Sequence, residues 1–414
     1  MKKQTFVFRV LIIFAIGLLL TLSCDLFGDT PKPLLSPVHG EIDPAVRTAM
    51  IGANDFAFRL SAELLKNNNG ANFVFSPFSL WLPLAALGNA LDNQYQGAHL
   101  RALNAPGITQ NDLNRAASRM LHDLTGRNHN PLRIANAIFV DRSVTLQRDF
   151  ARTFMDFYRG SSQNVNFSSR NAVNTVNRWA SQNTDGLINN LIQEFPPDTL
   201  MAIANAIYFS DRWSWQFSRQ QTEEGVFHST GGEGRAFFMR REGRDQTYFE
   251  DSRLQAIDLR FEHAGGMLIL LPKTGTAEAL LSSMTNDYFV HIQRSSFLAE
   301  GKLLLPRFSI ENNHDLLQSM AALGFPLFEG ELTGLIEEAP ISVSSAIQRA
   351  LIMVDEEGAT AAAVTVIGGN GSPPPPPPQP RFEMICNRPF VFILYAHTVE
   401  AGSQVLFTGI VNQP

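Results

Sequence analysis

DEEGATAAAVTVIGGNGSPPPPPPQP, residues 355–380, opens with three acidic residues and then carries no charge until Arg381. Small and β-branched residues fill 358–367, glycines and Asn370 follow, and six prolines occupy 373–378. Composition alone allows two readings: a disordered Ala/Gly/Pro linker, or a strand held apart from a sheet. The flanks favour the strand. IQRALIMVDEEG on one side and FEMICNRPFVFILY on the other both have the β-branched and aromatic content of paired strands. As a strand, the stretch presents Ala359, Ala361, Ala363, Thr365 and Ile367 on one face. Thr360, Ala362, Val364 and Val366 fall on the other, and neither face carries a charge.

The surrounding chain has 414 residues, 44% hydrophobic and 17% charged, with a net charge of −6. That length supports a large core. The mild acidity and the absence of a long Lys/Arg cluster give nucleic acid no electrostatic footing, so no nucleic-acid partner is expected. Residues 1–23 have a basic start and an apolar run from Val10 to Leu20, which reads as an export signal. Ser23-Cys24 resembles the end of a lipoprotein signal, with Cys24 as the lipid attachment point and Thr21 an atypical residue three before it. A plain secretory signal or a buried N-terminal anchor is the alternative. Residues 24–45 are rich in Pro, Gly and Asp and read as a tether. Cys386 is the second of two cysteines, and its strand-like surroundings suggest a small buried hydrophobe rather than half of a disulfide.

Asp43-Pro44 has the form of a helix start, and Phe56, Leu60 and Leu64 form a helical stripe that Asn67–Gly70 ends. Ser76-Pro77 starts a second helix, in which Pro83 removes a backbone donor and should produce a kink. A further helical pattern at 169–184 places Val173, Val176 and Ala180 on one side. Strand-like runs follow at 132–140, 200–210, 254–262, 266–272 and 301–312, and again after 380. Helices dominate the first half and strands the second, which predicts an α+β fold in one large domain.

The chemistry of catalysis is absent from the text. HExxH, GxSxG and phosphate-loop motifs do not occur, and the nine histidines show no metal-ligand spacing, so neither metal nor cofactor is expected. Ser372 lies among glycines and prolines with no oriented base beside it. A surface hydrolase therefore finds no support.

Several motifs in order give a more specific reading. They are Asn72–Leu80 (NFVFSPFSL), Ala135–Phe139, the spaced residues Asn177, Trp179, Thr184, Gly186, Ile188 and Leu191, and Asn205–Phe209 with Trp213. Met353–Gly358 (MVDEEG), Asn387–Phe390 and Leu406–Gly409 complete the set. Together they span about 340 residues, and from about residue 46 to Pro414 the chain resembles a serpin. The resemblance implies a helix-rich half packed on a large central sheet, further sheets, and an exposed reactive-centre loop at 358–381. It also implies a suicide-substrate inhibitor of serine endopeptidases, with cysteine endopeptidases as a further class, rather than an enzyme. Loop insertion into a central sheet is a known example of strand addition. A serpin that does not inhibit, and is cut as a substrate or serves as a binding surface, is the alternative.

The resemblance assigns roles to residues. Glu356, Glu357, Gly358, Ala359, Thr360, Ala361, Ala362 and Ala363 become the hinge, and Ser76, Asn205, Trp213 and Gln348 the region where the sheet opens. Gln348-Arg349-Ala350 stands where the family often has His-Lys-Ala, and Ser210-Asp211 where Lys-Gly is typical. The family spacing from Gly358 sets the scissile bond at Ser372–Pro373. Proline after the cut obstructs most serine proteases, so Gly371, Asn370 and Ile367 are rivals. The loop is about six residues longer than usual, matching the proline run, a stiff strut of roughly 19 Å. Small and aliphatic residues point to an elastase-like, subtilisin-like or broad-specificity target. The whole is expected to be an exported, lipid-anchored, monomeric inhibitor at a bacterial envelope or surface.

Overall fold

The structure is a computed structural model. It describes residues 43–126, 132–184, 186, 189–196, 198–343, 346–359, 378–398 and 402–414. The signal, Cys24 and the tether up to residue 42, the loop residues 360–377 and Ile188 lie outside these, while the last tether residues, 44 and 45, belong to the first helix.

The first half is mainly helical. Helix α1 (Pro44–Leu65) starts on Asp43, whose carboxylate accepts from Ala45 N at 2.9 Å, and buries Ala49, Ala53, Phe56 and Leu60. It stops before Asn69 and Gly70, both at positive φ. Strand β1 (Phe73–Phe75) leads to α2 (Pro77–Leu87), which continues through Pro83 without breaking and ends in a 3-10 turn. Helices α3 (Asn93–Ala102) and α4 (Gln110–Thr125) follow, then β2 (Leu132–Asp141), α5 (Arg148–Tyr158), β3 (Gly160–Val165) and α6 (Arg170–Asn183). In α6 the buried positions are Ala172, Val176 and Ala180, so the inward face begins one residue earlier than the sequence pattern places it.

The second half is mainly strands: β4 (Met201–Phe209), β5 (Asp211–Arg212), β6 (Glu223–Ser229), β7 (Gly232–Glu250), β8 (Leu254–Arg260) and β9 (Gly266–Pro272). After α7 (Ala277–Ser282) and α8 (Asn286–Ser295) come β10 (Phe297–Pro306), β11 (Phe308–Asp315) and α9 (Leu317–Ala322). The chain closes with β12 (Ile347–Val354), β13 (Gly358–Ala359), β14 (Arg381–Ile385), β15 (Phe390–Thr398) and β16 (Gly402–Val411).

One nine-stranded sheet runs β1-β16-β15-β9-β8-β7-β10-β14, with β6 paired to β7. Helices α1, α2 and α4 close its apolar face in a single core that includes Phe56, Trp81, Leu268 and Phe392. A three-stranded ladder β3-β2-β4 carries α6 through Phe139, Val176 and Ala204. A separate two-stranded ladder pairs β11 with β12. Strand β13, continuing β12, hydrogen-bonds to β5, which continues β4, so the hinge joins these two ladders at one end. Among the described residues, no strand pairs with the second edge of β4 or of β12. That leaves a slot between them.

Candidate functional site: the hinge and the slot

The hinge is built from the turn after β12. Asp355 accepts the amides of Glu357 at 2.9 Å and Gly358 at 3.2 Å on one carboxylate oxygen, and its own amide donates to Gly358 O at 3.2 Å. The segment 213–217 then captures the turn's carbonyls. Trp213 Nε1 donates to Asp355 O, Trp213 N to Glu357 O and Phe217 N to Glu356 O, each at 2.9 Å. Trp213 is fully buried and stacks on Phe261 at 4.6 Å, so its indole N–H is held in one direction. Gly358 comes so close to β5 that an added Cβ would lie 2.2 Å from Asp211 O. Only glycine permits that approach.

Both hinge glutamates are buried and partnered. Arg307 donates to Glu356 Oε1 from Nε at 2.8 Å and from Nη2 at 2.5 Å, and Thr222 Oγ1 donates to the same oxygen. Arg219 pairs with Glu357. Burial pushes the Glu356 carboxyl upward, but the Arg307 and Thr222 hydrogen bonds outweigh it, and the group is held below the usual carboxylate range. The acidic start of the loop is thus a pair of anchored anions, and the neutral run begins immediately beyond it.

Farther along the slot, Gln348 on β12 directs its amide at the start of α2. Its Oε1 accepts from Ser76 N at 2.9 Å, and its Nε2 donates to Ser76 O at 2.8 Å and Ser79 Oγ at 3.0 Å. Ser76 Oγ donates to Leu406 O at 2.9 Å. The glutamine therefore clasps Ser76, but Asn205 does not join it. Asn205 Nδ2 donates across the ladder to Asn136 Oδ1 at 2.7 Å, and its buried Oδ1 has no partner among the described residues. Both N–H donors of Gln348 are spent on Ser76 and Ser79, and its oxygen accepts from Ser76 N, so the hydrogen bonds it makes go to the start of α2.

The sequence reading also missed working residues. Asn312 and His314 on β11 hold β1, accepting from Val74 N at 2.6 Å and contacting Val74 O at 2.7 Å. Arg349 on β12 donates to Asn190 O at 2.7 Å and pairs with Glu311, tying the connection between α6 and β4 to the far side of the slot. Arg307, Thr222 and Arg219 could have been anticipated only as unnamed cations and donors owed to Glu356 and Glu357.

Beyond the slot, Gln379 accepts from Asp245 N at 3.0 Å and Glu300 N donates to Pro380 O at 2.9 Å, fixing the end of the proline run before β14. Cys386 is fully buried and its thiol is pushed up to about 12, chiefly by burial, which fits a core side chain. Among the described residues no group of three or more His, Cys, Asp or Glu could hold a metal. His263 meets Asp211, but among the described residues no hydroxyl is hydrogen-bonded to its other nitrogen. The hinge glutamates, Gly358 and the Ala359 backbone lie in the turn after β12 and in β13. Thr360–Ala363, Ile367, Asn370, Gly371, Ser372 and Pro373 lie outside the described residues.

A family model for serpins, serine protease inhibitors, matches residues 52–414. Antichymotrypsin-2 of Bombyx mori is 30% identical over 380 residues, covering 87% of this chain and 96% of its own. An alpha-1-antitrypsin-like protein of Tamias sibiricus is 29% identical over 370 residues, 87% of each chain. Native tengpin, a thermophilic serpin, matches with a TM-score of 0.79 at 22% identity, over 91% of this chain and 96% of that one. Human thyroxine-binding globulin with its hormone gives 0.78 at 22% identity, over 89% and 99%. The ordered motifs, the split ladder with its hinge, and the match over residues 52–414 agree: the chain belongs to the serpin family.

Proposed function

We propose that the protein is a suicide-substrate inhibitor of serine endopeptidases. The observation that carries this reading is the hinge pairing: Gly358 lies opposite Arg212 and Ala359 opposite Asp211, antiparallel, at the mouth of the slot. Continuing that register would set Ala361 opposite Phe209, Ala363 opposite Ile207, Thr365 opposite Asn205 and Ile367 opposite Ile203. Thr365 would then bring a hydroxyl to the strand position whose Asn205 Oδ1 is buried without a described partner. No charged residue or proline enters before Pro373. About ten strand residues pairing on both sides, at ~0.5–1.5 kcal/mol per bond, supply on the order of 10 kcal/mol. That is comparable with the stability of a domain and can distort a tethered enzyme.

The chemistry belongs to the target. Its serine attacks the scissile carbonyl, the new amine end leaves with the proline segment, and the acyl-enzyme remains on the loop. Insertion must outrun hydrolysis of that ester. The test is incubation with elastase-like and subtilisin-like proteases, followed by denaturing electrophoresis. A complex resistant to SDS is expected, and the N-terminal sequence of the released fragment locates the cut between Val366 and Ser372. Rapid cleavage without complex across a broad panel contradicts the proposal.

The second reading, a serpin that binds or is merely cut, draws on Pro373 directly after Ser372 and on the extra loop length. Thyroxine-binding globulin carries a ligand on the same fold. The same panel separates the two. We further propose export with lipid on Cys24 at the envelope. Cys24→Ser is expected to release the protein from the membrane fraction, and unchanged membrane retention contradicts that part.

A further inference from the structure

Asp211 on β5 has a built environment. Its side chain is 1% exposed. Oδ2 accepts from His263 N and Ala264 N, each at 3.0 Å, and Oδ1 accepts from Arg212 N at 2.9 Å and His263 Nδ1 at 2.8 Å. Three of the four donors are backbone amides, and two belong to the turn that joins β8 to β9. That turn connects two strands of the nine-stranded sheet, and Glu262 N returns a further bond to Arg212 O at 2.9 Å. The main chain of Asp211 meanwhile pairs with Ala359. One residue thus has its carboxylate in the closed sheet and its backbone on the hinge.

We infer that Asp211 is a positioning residue for loop insertion. Its carboxylate fixes β5 against the β8–β9 turn, so the first inserted pairs form on an edge whose conformational freedom is already removed. A glycine would offer no such tie and would add freedom of its own. The inference rests on the inhibitory reading proposed above, because insertion must compete with hydrolysis of the acyl-enzyme.

The experiment compares wild type, Asp211→Ala, His263→Ala and Tyr395→Phe with an elastase-like protease. Two quantities are read separately: the rate of loop cleavage, and the fraction of cleavage events captured as SDS-stable complex. Asp211→Ala is expected to leave the cleavage rate unchanged and to lower the captured fraction about ten-fold, as charge-assisted hydrogen bonds to a buried group are lost. His263→Ala removes only the imidazole donor and leaves the backbone amides, so a change of about two-fold or less is expected. Tyr395→Phe removes hydrogen bonds to Asp258 at 2.7 and 2.8 Å inside the closed sheet. It is expected to lower the thermal midpoint without moving the captured fraction.

If Asp211→Ala fails to fold, Asp211→Asn, which keeps one oxygen acceptor, takes its place with an expected intermediate loss. An Asp211 variant that captures as well as wild type overturns the inference alone. So does Tyr395→Phe lowering capture equally for the same midpoint loss. A wild type that forms no complex overturns the inhibitory reading and this inference with it.

Discussion

Strands β9 and β4 are of similar length and character, yet only one has a finished environment. GMLILLP in β9 is buried at every position and paired on both sides, by β8 and β15. MAIANAIYF in β4 is half-buried over most of its length and, among the described residues, is paired on one side by β2. An apolar run of that kind is the sequence of an interior strand. The nine-stranded sheet has realised its pairing, and on the function proposed above the unpaired edge of β4 is where the loop strand would add.

The largest expected effect comes from spoiling that strand. Ala361→Pro removes a ladder bond opposite Phe209 in the continued register, at about 3 kcal/mol or roughly a hundred-fold. Cleavage of the loop should persist while the complex disappears from denaturing gels. A variant that still captures protease would break the comparison.

A cavity in the closed sheet should behave differently. Leu268 is fully buried in β9. Leu268→Ala is expected to cost about 2–4 kcal/mol in both the intact and the loop-cleaved protein. Denaturant midpoints of the two forms report this directly, and a loss confined to one form would mean that the sheet is remade on insertion.

The hinge should affect the intact form more modestly. Glu356→Gln leaves Arg307 without its anion, and since Arg307 remains partly exposed the expected cost is about 1–2 kcal/mol. Glu356 binds its proton less tightly in the fold than in the unfolded chain. Its contribution is therefore full above the unfolded value of 4.5 and fades as pH falls through the lower folded value. Stability curves from pH 6 to 3 should show that component in wild type and lack it in Glu356→Gln. The smallest effect is expected from Arg349→Ala. It frees the α6–β4 connection from β12 at a cost below about 1 kcal/mol and slightly raises the captured fraction.

Much of this was legible in the residues. The buried stripe of α1, its Asp43 cap and the strands at 254–260 and 266–272 follow from periodicity and local pattern. The hairpin of β6 and β7 did not announce itself, because its outer face is laced with ion pairs such as Arg235–Glu224 and Arg240–Glu242. Those charges dilute the alternation that marks a strand. The partners of Glu356 and Glu357 were illegible for a different reason. Arg307 lies 49 residues away from Glu356, Thr222 lies 134 from it, and Arg219 lies 138 from Glu357. Contacts of that range are set by topology, which no local pattern records. Asn205, grouped by motif with Ser76 and Gln348, is bonded to Asn136, while the Gln348 side chain bonds Ser76 and Ser79, and no local pattern distinguishes these partners.

The central claim is that the slot beside β4 holds unrealised pairing. Scanning calorimetry of intact protein and of protein cut once in the loop at 366–372 tests it most directly. Realising about 10 kcal/mol of strand pairing should raise the midpoint of the cut form by roughly 10 °C or more. A cut protein that melts at the same temperature as the intact one, or below it, would contradict the account.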